Sequence, residues 1–474
     1  MVKRVLAIVL VLTFVSACGS QEPLSGYERD KLREKRITSE SGWYTYDRIA
    51  YEKGLSNVTS NDFDSQFPCI EIDWKDALHL VWVENKDGGG DIWLNKCSNV
   101  CYMKLIGTSH DIHWASYSNR LVTGQNSYNV SNNSGLSISP MLKIDTNNQP
   151  HIVWVDSSFD SRIDGYNEVM YVSFSRKRWR TINRDIYNPT TGNSALISSS
   201  WKPSFDIDIK GNLYFNCLSE EGTSFYKWIN SDLSPIGGNY VDFLDQKVPL
   251  PLGMNDSLDY KLIAKNDIVH LFQDPHQKSG ISYVFCSNEG FYKIDGEVCE
   301  NVDDSIINGS VSEYPSSFAC AIDSKNNPHI LMYAKDKKNH CYLSYIKWNG
   351  NEWVRVDGSK YTGKDDKTNI PIFWNQLSAT IEMKLDKNDN PHIAWIDKFS
   401  DSAEVINYIT WKDSNWVTLK GEKFDHTANQ TQLTEGIVSG ISLALNSDNI
   451  PYIAWSEKVD GKWDIFCVRG SKDY

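Results

Sequence analysis

The sequence predicts an all-β chain folded as a seven-bladed β-propeller of four-stranded antiparallel blades, closed by an N-terminal strand that completes the last blade. Three observations carry this. A phrase of the form Asp, polar turn, Pro-His-Ile-x-Trp, acid recurs along the chain, most clearly at 144–156 and 385–397. Its copies lie about 62 residues apart, slightly beyond the usual period of propeller repeats. The stretch from Trp43 to Tyr474 holds about seven such periods and leaves no room for a second domain.

Each element follows from local chemistry. Further copies lie at 72–84, 207–219, 322–334 and 445–457, with a degraded one at 263–273. The aligned position is His79, His151, Tyr214, His270, His329, His392 and Tyr452. In Asn390-Pro391-His392-Ile393-Ala394-Trp395 the residues alternate and are β-prone, and proline opens the strand, where its missing N–H costs least. The Asp-x-Asn segment before it is hairpin-turn chemistry. The sixth unit reads as strands at 380–385, 392–396, 405–411 and 416–419. Trp179, Trp353 and Trp416 each open a fourth strand. The last unit stops after its third strand, at 463–469. Trp43-Tyr44-Thr45-Tyr46 reads as the missing fourth, which would remove an open sheet edge.

The chain begins with basic Lys3 and Arg4, an apolar run over 5–15 and then Val15-Ser16-Ala17-Cys18. The run is too short to span a bilayer and small residues precede the cysteine, as in a secretory signal. The segment resembles a bacterial lipoprotein signal. That resemblance implies removal of 1–17 and lipidation of Cys18. The polar residues over 18–41, with almost no apolar periodicity, read as a tether, and the repeats place the propeller over 42–474. Gly19, where aspartate would retain a lipoprotein at the inner membrane, implies by the same resemblance a cell-envelope location at the outer membrane, facing periplasm or surface.

The repeated phrase resembles the repeats of bacterial sialidase-like and BNR-like propeller proteins, over nearly the whole mature chain. The resemblance implies a fold and not an activity, because propellers host lyases, glycosidases, lectins and scaffolds. Two departures exclude a classical sialidase. The Asp-box Ser-x-Asp-x-Gly-x-Thr-Trp is absent, and no arginine lies between Arg184 and Arg355 to help hold a substrate carboxylate. The formal net charge of −13 argues against nucleic acid as partner. No phosphate-binding glycine loop, nucleophile elbow or H-E-x-x-H helix occurs.

Short turns join first to second and third to fourth strands, so the long connections share one face, where function concentrates. The longest spans about 106–139 and carries His110, His113, Trp114, Tyr117 and Arg120. His110, His113, Tyr117 and Arg120 are the candidate acid–base or ligating groups. The second-blade loop adds Arg162 and Tyr166. Trp114, Trp201, Tyr361, Trp374 and Phe424 are loop aromatics able to stack on sugar faces. Glu84, Asp156, Asp397 and Glu457, two residues past the tryptophan position of the phrase (the anchor position), form a candidate acidic arc at the mouth of the pore. The repeated histidines read as architectural, hydrogen-bonded within or between blades, since a site would break the pseudosymmetry.

Ten cysteines leave an odd number once Cys18 is lipidated. Spacing suggests Cys97–Cys101 and Cys286–Cys299 bridges. Cys320 and Cys341 fall on non-adjacent strands, too far apart to bond. Cys217, in an anchor position, reads as a buried apolar residue, and no cysteine pairing suggests zinc. The expectation is a non-catalytic, lipid-anchored envelope propeller that binds a glycan or an envelope protein through its loop-rich face. It needs no cofactor beyond a structural or ligand-bridging cation, and no metal site is assigned. The alternatives are a polysaccharide lyase or glycosidase working in the loops of the first two blades, and a scaffold subunit of an envelope complex.

Overall fold

The computed structural model describes residues 43–45 and most of 57–471; residues 1–42, 46–56, 86–98, 116–127, 157–167, 229–240, 243–259, 308–317, 373–379 and 426–432, with shorter stretches, lie outside the described residues. The chain is an all-β propeller of antiparallel sheets. Seven sheets occur among the described residues, each built on an antiparallel path of four strands. Their first strands are Asp64–Ile72, Ser137–Ile144, Ser200–Ile207, Tyr260–Lys265, Phe318–Ile322, Ile381–Leu385 and Val438–Leu445. Each first strand packs beside those of the two neighbouring sheets, and that of the first sheet packs beside that of the seventh. Among the described residues no helix is long and apolar enough to cross a membrane.

The seventh sheet is completed from the other end of the chain. Trp43, Tyr44 and Thr45 pair antiparallel with Gly470, Arg469 and Val468 at the edge of Lys462–Gly470. The strands of the sixth sheet fall at Ile381–Leu385, Pro391–Ser400, Ala403–Lys412 and Asn415–Val417, each overlapping its expected segment.

Two features differ from the sequence expectation. In four sheets a short extra strand (Tyr128–Asn129, Ala195–Ile197, Ile306–Ile307 or Ile370–Pro371) also pairs the third strand. The third strand is longer than the fourth, so the extra segment covers edge that would otherwise stay open. In addition, the long 106–139 connection is partly strand. Asp111–Ala115 pairs with Asn99–Thr108 as the fourth strand of the first sheet, placing Ile106 opposite His113 and Leu105 opposite Trp114. Ile112-His113-Trp114 is a β-prone run, and Asp111 pairs with Thr108 as in a hairpin.

The turn that ends each first strand explains the repeated aspartate. Asp73 Oδ1 accepts from the backbone N–H groups of Lys75 and Ala77, both at 2.9 Å. Asp145, Asp208, Asp323 and Asp386 repeat the pattern, and Asn446 does so with its amide oxygen. Three residues after each, the chain is left-handed: Asp76, Asn148, Gly211, Asn326, Asp389 and Asn449 have φ between 59° and 80°. Asn, Asp and Gly tolerate that region best.

Those left-handed residues also join the sheets. Trp74 N–H donates to Asn148 Oδ1, Ser324 to Asp389, Lys387 to Asn449 and Ser447 to Asp76. Each bond runs from one turn to the next, and the last crosses from the seventh sheet to the first. Beneath them the sheets are glued by apolar cores that alternate along every strand. Trp82, Trp154, Trp395 and Trp455 of the second strands are fully buried in these cores.

Candidate functional site

The repeated histidines are architectural. His151, His270, His329 and His392 lie on second strands with Nδ1 2.5–2.7 Å from the hydroxyls of Tyr171, Tyr283, Tyr345 and Tyr408 on the adjacent third strands. The other ring nitrogen faces the turn aspartate, with His79 Nε2 3.2 Å from Asp73 Oδ2 and the equivalent distances in three further sheets at 3.5–3.8 Å. Burial alone would raise the carboxyl groups of Asp323 and Asp386. The facing histidines, with hydrogen bonds from Asn327 and Asn390 and from turn N–H groups, outweigh it, holding Asp323 well below the usual carboxylate range and Asp386 at about 2. The turn before His270 is shorter, and by strand register Lys265 stands where the others have aspartate. Burial, with Lys265 nearby, pushes it down to about 3, so it is neutral.

Glu84, Asp156, Asp397 and Glu457 lie in the later part of the second strands, away from those turns. Their side chains point into protein rather than into an open mouth, for each residue is at most 5% exposed. Asp156 Oδ2 accepts from Trp154 Nε1 and from Ser137 Oγ, both at 2.8 Å. Glu457 Oε2 accepts from Trp455 Nε1 at 3.2 Å. The i, i+2 spacing puts carboxylate and indole on one side of the strand, so at Trp154 and Trp455 the acid satisfies an N–H that the core would otherwise bury alone.

Of the other candidates, His113, Trp114 and Trp201 have their backbones placed on strands, His113 and Trp114 in the first sheet and Trp201 opposite Leu218 in the third. Their side chains lie outside the described residues, as do His110, Tyr117, Arg120, Arg162, Tyr166, Trp374 and Cys18. Phe424 is a core anchor, its ring 5.6 Å from that of Trp395. Cys286 and Cys299 are separate buried thiols, as are Cys320 and Cys341 separate. The expected Cys286–Cys299 bridge is therefore absent. Both residues instead pack as small apolar groups in the core formed with Tyr260 and Leu271. Cys97, Cys101 and Cys217 side chains lie outside the described residues. Among the described residues no cluster of three or more His, Cys, Asp or Glu is arranged to hold a metal ion.

Two arrangements were not anticipated from the sequence. Around the axis, first-strand residues from different sheets form an ion network. Glu71 lies 3.2 Å from Lys384 and 3.7 Å from Lys143, and Lys143 lies 3.2 Å from Asp206. Burial would raise the Glu71 carboxyl, but Lys384 and Lys143 bring it below its ordinary value. Glu382 is held above the usual range by burial despite Lys261 and Lys384 nearby. Among the described residues Glu71, Asp206, Lys143 and Lys384 are thus linked across four sheets.

The second is an open cleft of about 540 Å³ between the fourth and fifth sheets. Its aromatic wall comes from the hairpin joining the third and fourth strands of the fifth sheet. Trp348 and Trp353 face each other across that hairpin, with ring centroids 5.6 Å apart at 67°. Tyr361 lines the same wall, and its N–H donates to Trp353 C=O at 2.9 Å. Tyr283 of the fourth sheet meets Trp353 edge to face at 6.4 Å and is itself fixed by His270. Polar groups rim the rings: Lys293, Asp295, Asn351, Glu352 and Lys360. Half-exposed indole faces with amide, carboxylate and ammonium groups around them suit a hydroxyl-rich ligand with apolar C–H faces.

No family model matches the chain, and no curated protein matches it. Among solved structures the chain is similar to a polysaccharide lyase, the PL25 ulvan lyase, at 12% identity and TM-score 0.48, over 87% of this chain and 94% of that one. It is similar to a protein of unknown function from Dyadobacter fermentans at 9% identity and TM-score 0.40, over 86% and 94%. It is also similar to the intramolecular trans-sialidase from Ruminococcus gnavus at 11% identity and TM-score 0.36, over 88% and 98%.

Proposed function

We propose that this chain is a non-catalytic, glycan-binding propeller of the cell envelope. It is a single seven-bladed ring, tethered through a lipid on Cys18 to the outer membrane. The observation that carries the binding reading is the cleft between the fourth and fifth sheets, where Trp348, Trp353 and Tyr361 form one aromatic wall edged by polar side chains. Indole faces exposed beside hydrogen-bonding groups stack on sugar rings and gain from excluding water there. A rigid wall favours this, because little side-chain entropy is lost on binding. Trp348 and Trp353 are already held by cross-strand pairing and by Tyr283.

The site therefore lies on the side of the short hairpin turns, away from the long connections expected to bind. The test is a glycan array probed with the purified protein, followed by incubation with each bound polysaccharide. Binding without chain shortening and without a rise in unsaturated-uronate absorbance is the expected result. Cleavage of a bound chain would overturn the non-catalytic reading and direct substitutions to His110, His113, Tyr117 and Arg120. Capture of no glycan would remove the binding reading.

A further inference from the structure

The cleft's polar rim carries information about the charge of what it holds. Its two ammonium groups are already closed on carboxylates of this chain. Lys360 Nζ lies 2.7 Å from Glu352, and Lys293 Nζ pairs with Glu297 across one turn. Asp295, exposed on the rim, adds an unneutralised negative charge. Arginine is the side chain that best forks onto a carboxylate or sulfate. No arginine lies between Arg184 and Arg355, so the fourth sheet supplies none. Arg355 itself is buried, its guanidinium 5.4 Å from the Tyr361 ring centroid, behind the aromatic wall. The chain as a whole carries −13, which repels a polyanion before contact.

The pseudosymmetry shows why a cleft forms at this junction. Between the fifth and sixth sheets the equivalent of Trp353 is Trp416. It is buried, packed edge to face on Tyr345 at 5.9 Å, and its Nε1 donates to Thr368 C=O at 2.8 Å. The equivalent of Tyr361 is Phe424, which seals that junction by packing on the anchor Trp395. In the fifth sheet the anchor position is Met332, so Tyr361 has no indole to close upon. Trp353 is half-buried, and among the described residues its Nε1 meets no acceptor like Thr368. The missing anchor leaves an aromatic wall and an indole N–H, a donor suited to a hydroxyl or ether oxygen.

We propose that the cleft selects uncharged sugar units and discriminates against uronic acids and sulfated sugars. This rests on the reading that the cleft binds a glycan. The reason is that every ammonium group at its rim is internally neutralised and its free rim charge is acidic, while its aromatic wall is open. Specificity here is negative as well as positive, since an anionic sugar would have to displace Glu352 or Glu297 from its lysine.

The experiment is calorimetric titration of the full-length protein with cellohexaose, xylohexaose and mannohexaose as neutral probes, and with hexagalacturonate and a sulfated heparin hexasaccharide as anionic ones. Each is measured at low salt and at about 0.3 M salt. At least one neutral probe binds with an affinity that salt leaves unchanged, and the anionic probes bind at least about tenfold more weakly. Trp348→Ala weakens the neutral probe about tenfold or more, while Trp348→Phe, which keeps an aromatic face, retains most of the binding. Glu352→Gln, which frees Lys360, raises affinity for hexagalacturonate relative to that for the neutral probe at least about tenfold. Anionic probes binding the unaltered protein as tightly as neutral ones, in a manner lost in Trp348→Ala, would overturn the charge selection and keep the glycan site. Binding of neither class, or binding that Trp348→Ala does not touch, would overturn the glycan site itself.

Discussion

Ser447 and Asp76, far apart in sequence, are hydrogen-bonded across the junction where the propeller's last sheet meets its first. The backbone N–H and the hydroxyl of Ser447 both donate to the Asp76 carboxylate, at 2.8 and 2.6 Å. The same turn-to-turn bond links Ser324 to Asp389 two junctions earlier. Asp76 performs two jobs at once, since it also holds the left-handed position of its own turn, at φ 59°.

Replacing Asp76 separates the two jobs. Asp76→Gly keeps the turn and loses the junction bond, whereas Asp76→Ala loses the bond and strains the turn. Asp76→Ala should cost about 2 kcal/mol of stability and Asp76→Gly about 1 kcal/mol, in urea unfolding. Equal losses would mean that the turn conformation contributes nothing.

His270 sets a pH dependence. Its folded-state value, depressed to about 3, lies below the ordinary value near 6.5 for an unfolded chain. Between those two values the unfolded chain binds the extra proton. Stability is therefore full above pH 6.5 and falls on acidification, by up to about 1.4 kcal/mol per pH unit from this group. The low values of Asp323 and Asp386 add a second loss, from about pH 4 downward. Buried His329, also lowered, adds to the first slope, so His270→Gln should reduce that slope and leave the second. Urea midpoints measured from pH 8 to pH 3 give both, and an unchanged first slope in the variant would assign it to another group.

Asp156 is expected to act as a core acceptor. Asp156→Ala would leave Trp154 Nε1 and Ser137 Oγ buried without their shared partner, at a cost of about 2–4 kcal/mol. The indole emission of the variant should shift as Trp154 loses its hydrogen bond. A loss below about 0.5 kcal/mol would show that water replaces the carboxylate.

Glu71 joins three sheets through Lys143 and Lys384. Glu71→Gln leaves two ammonium groups facing each other near the axis and should destabilise by about 2–3 kcal/mol. Lys384→Met in that background should recover about half of the loss by removing the repulsion. A double-mutant cycle with no coupling between the two would contradict a shared network.

The sheets were legible because their signal is local and repeated. Asp386, Pro391, His392 and Trp395 sit within one turn and one strand, and each reports its own backbone or packing role. The closing strand was legible from Trp43 because the last unit lacked a fourth strand. The cleft and the axial network were not. Lys143, Lys384 and Glu71 come from three sheets, and no short motif links them. Trp348 and Trp353 flank a readable turn at Asn349-Gly350-Asn351, yet whether an indole lines a cleft or a core depends on the neighbouring sheet. The one available signal was Met332 in place of the anchor tryptophan. The strand over Asp111–Ala115 was hidden inside a long polar connection whose periodicity spans only five residues.

The proposed ligand contact lies at the fourth and fifth sheets. Amide hydrogen exchange with and without a saturating neutral hexasaccharide tests it most directly. Slowed exchange is expected in the segments that build the cleft wall, around 305–307, 348–353 and 360–363. Slowed exchange confined to the long connections of the first two sheets, around 106–120 and 157–167, with none at the cleft, would contradict it.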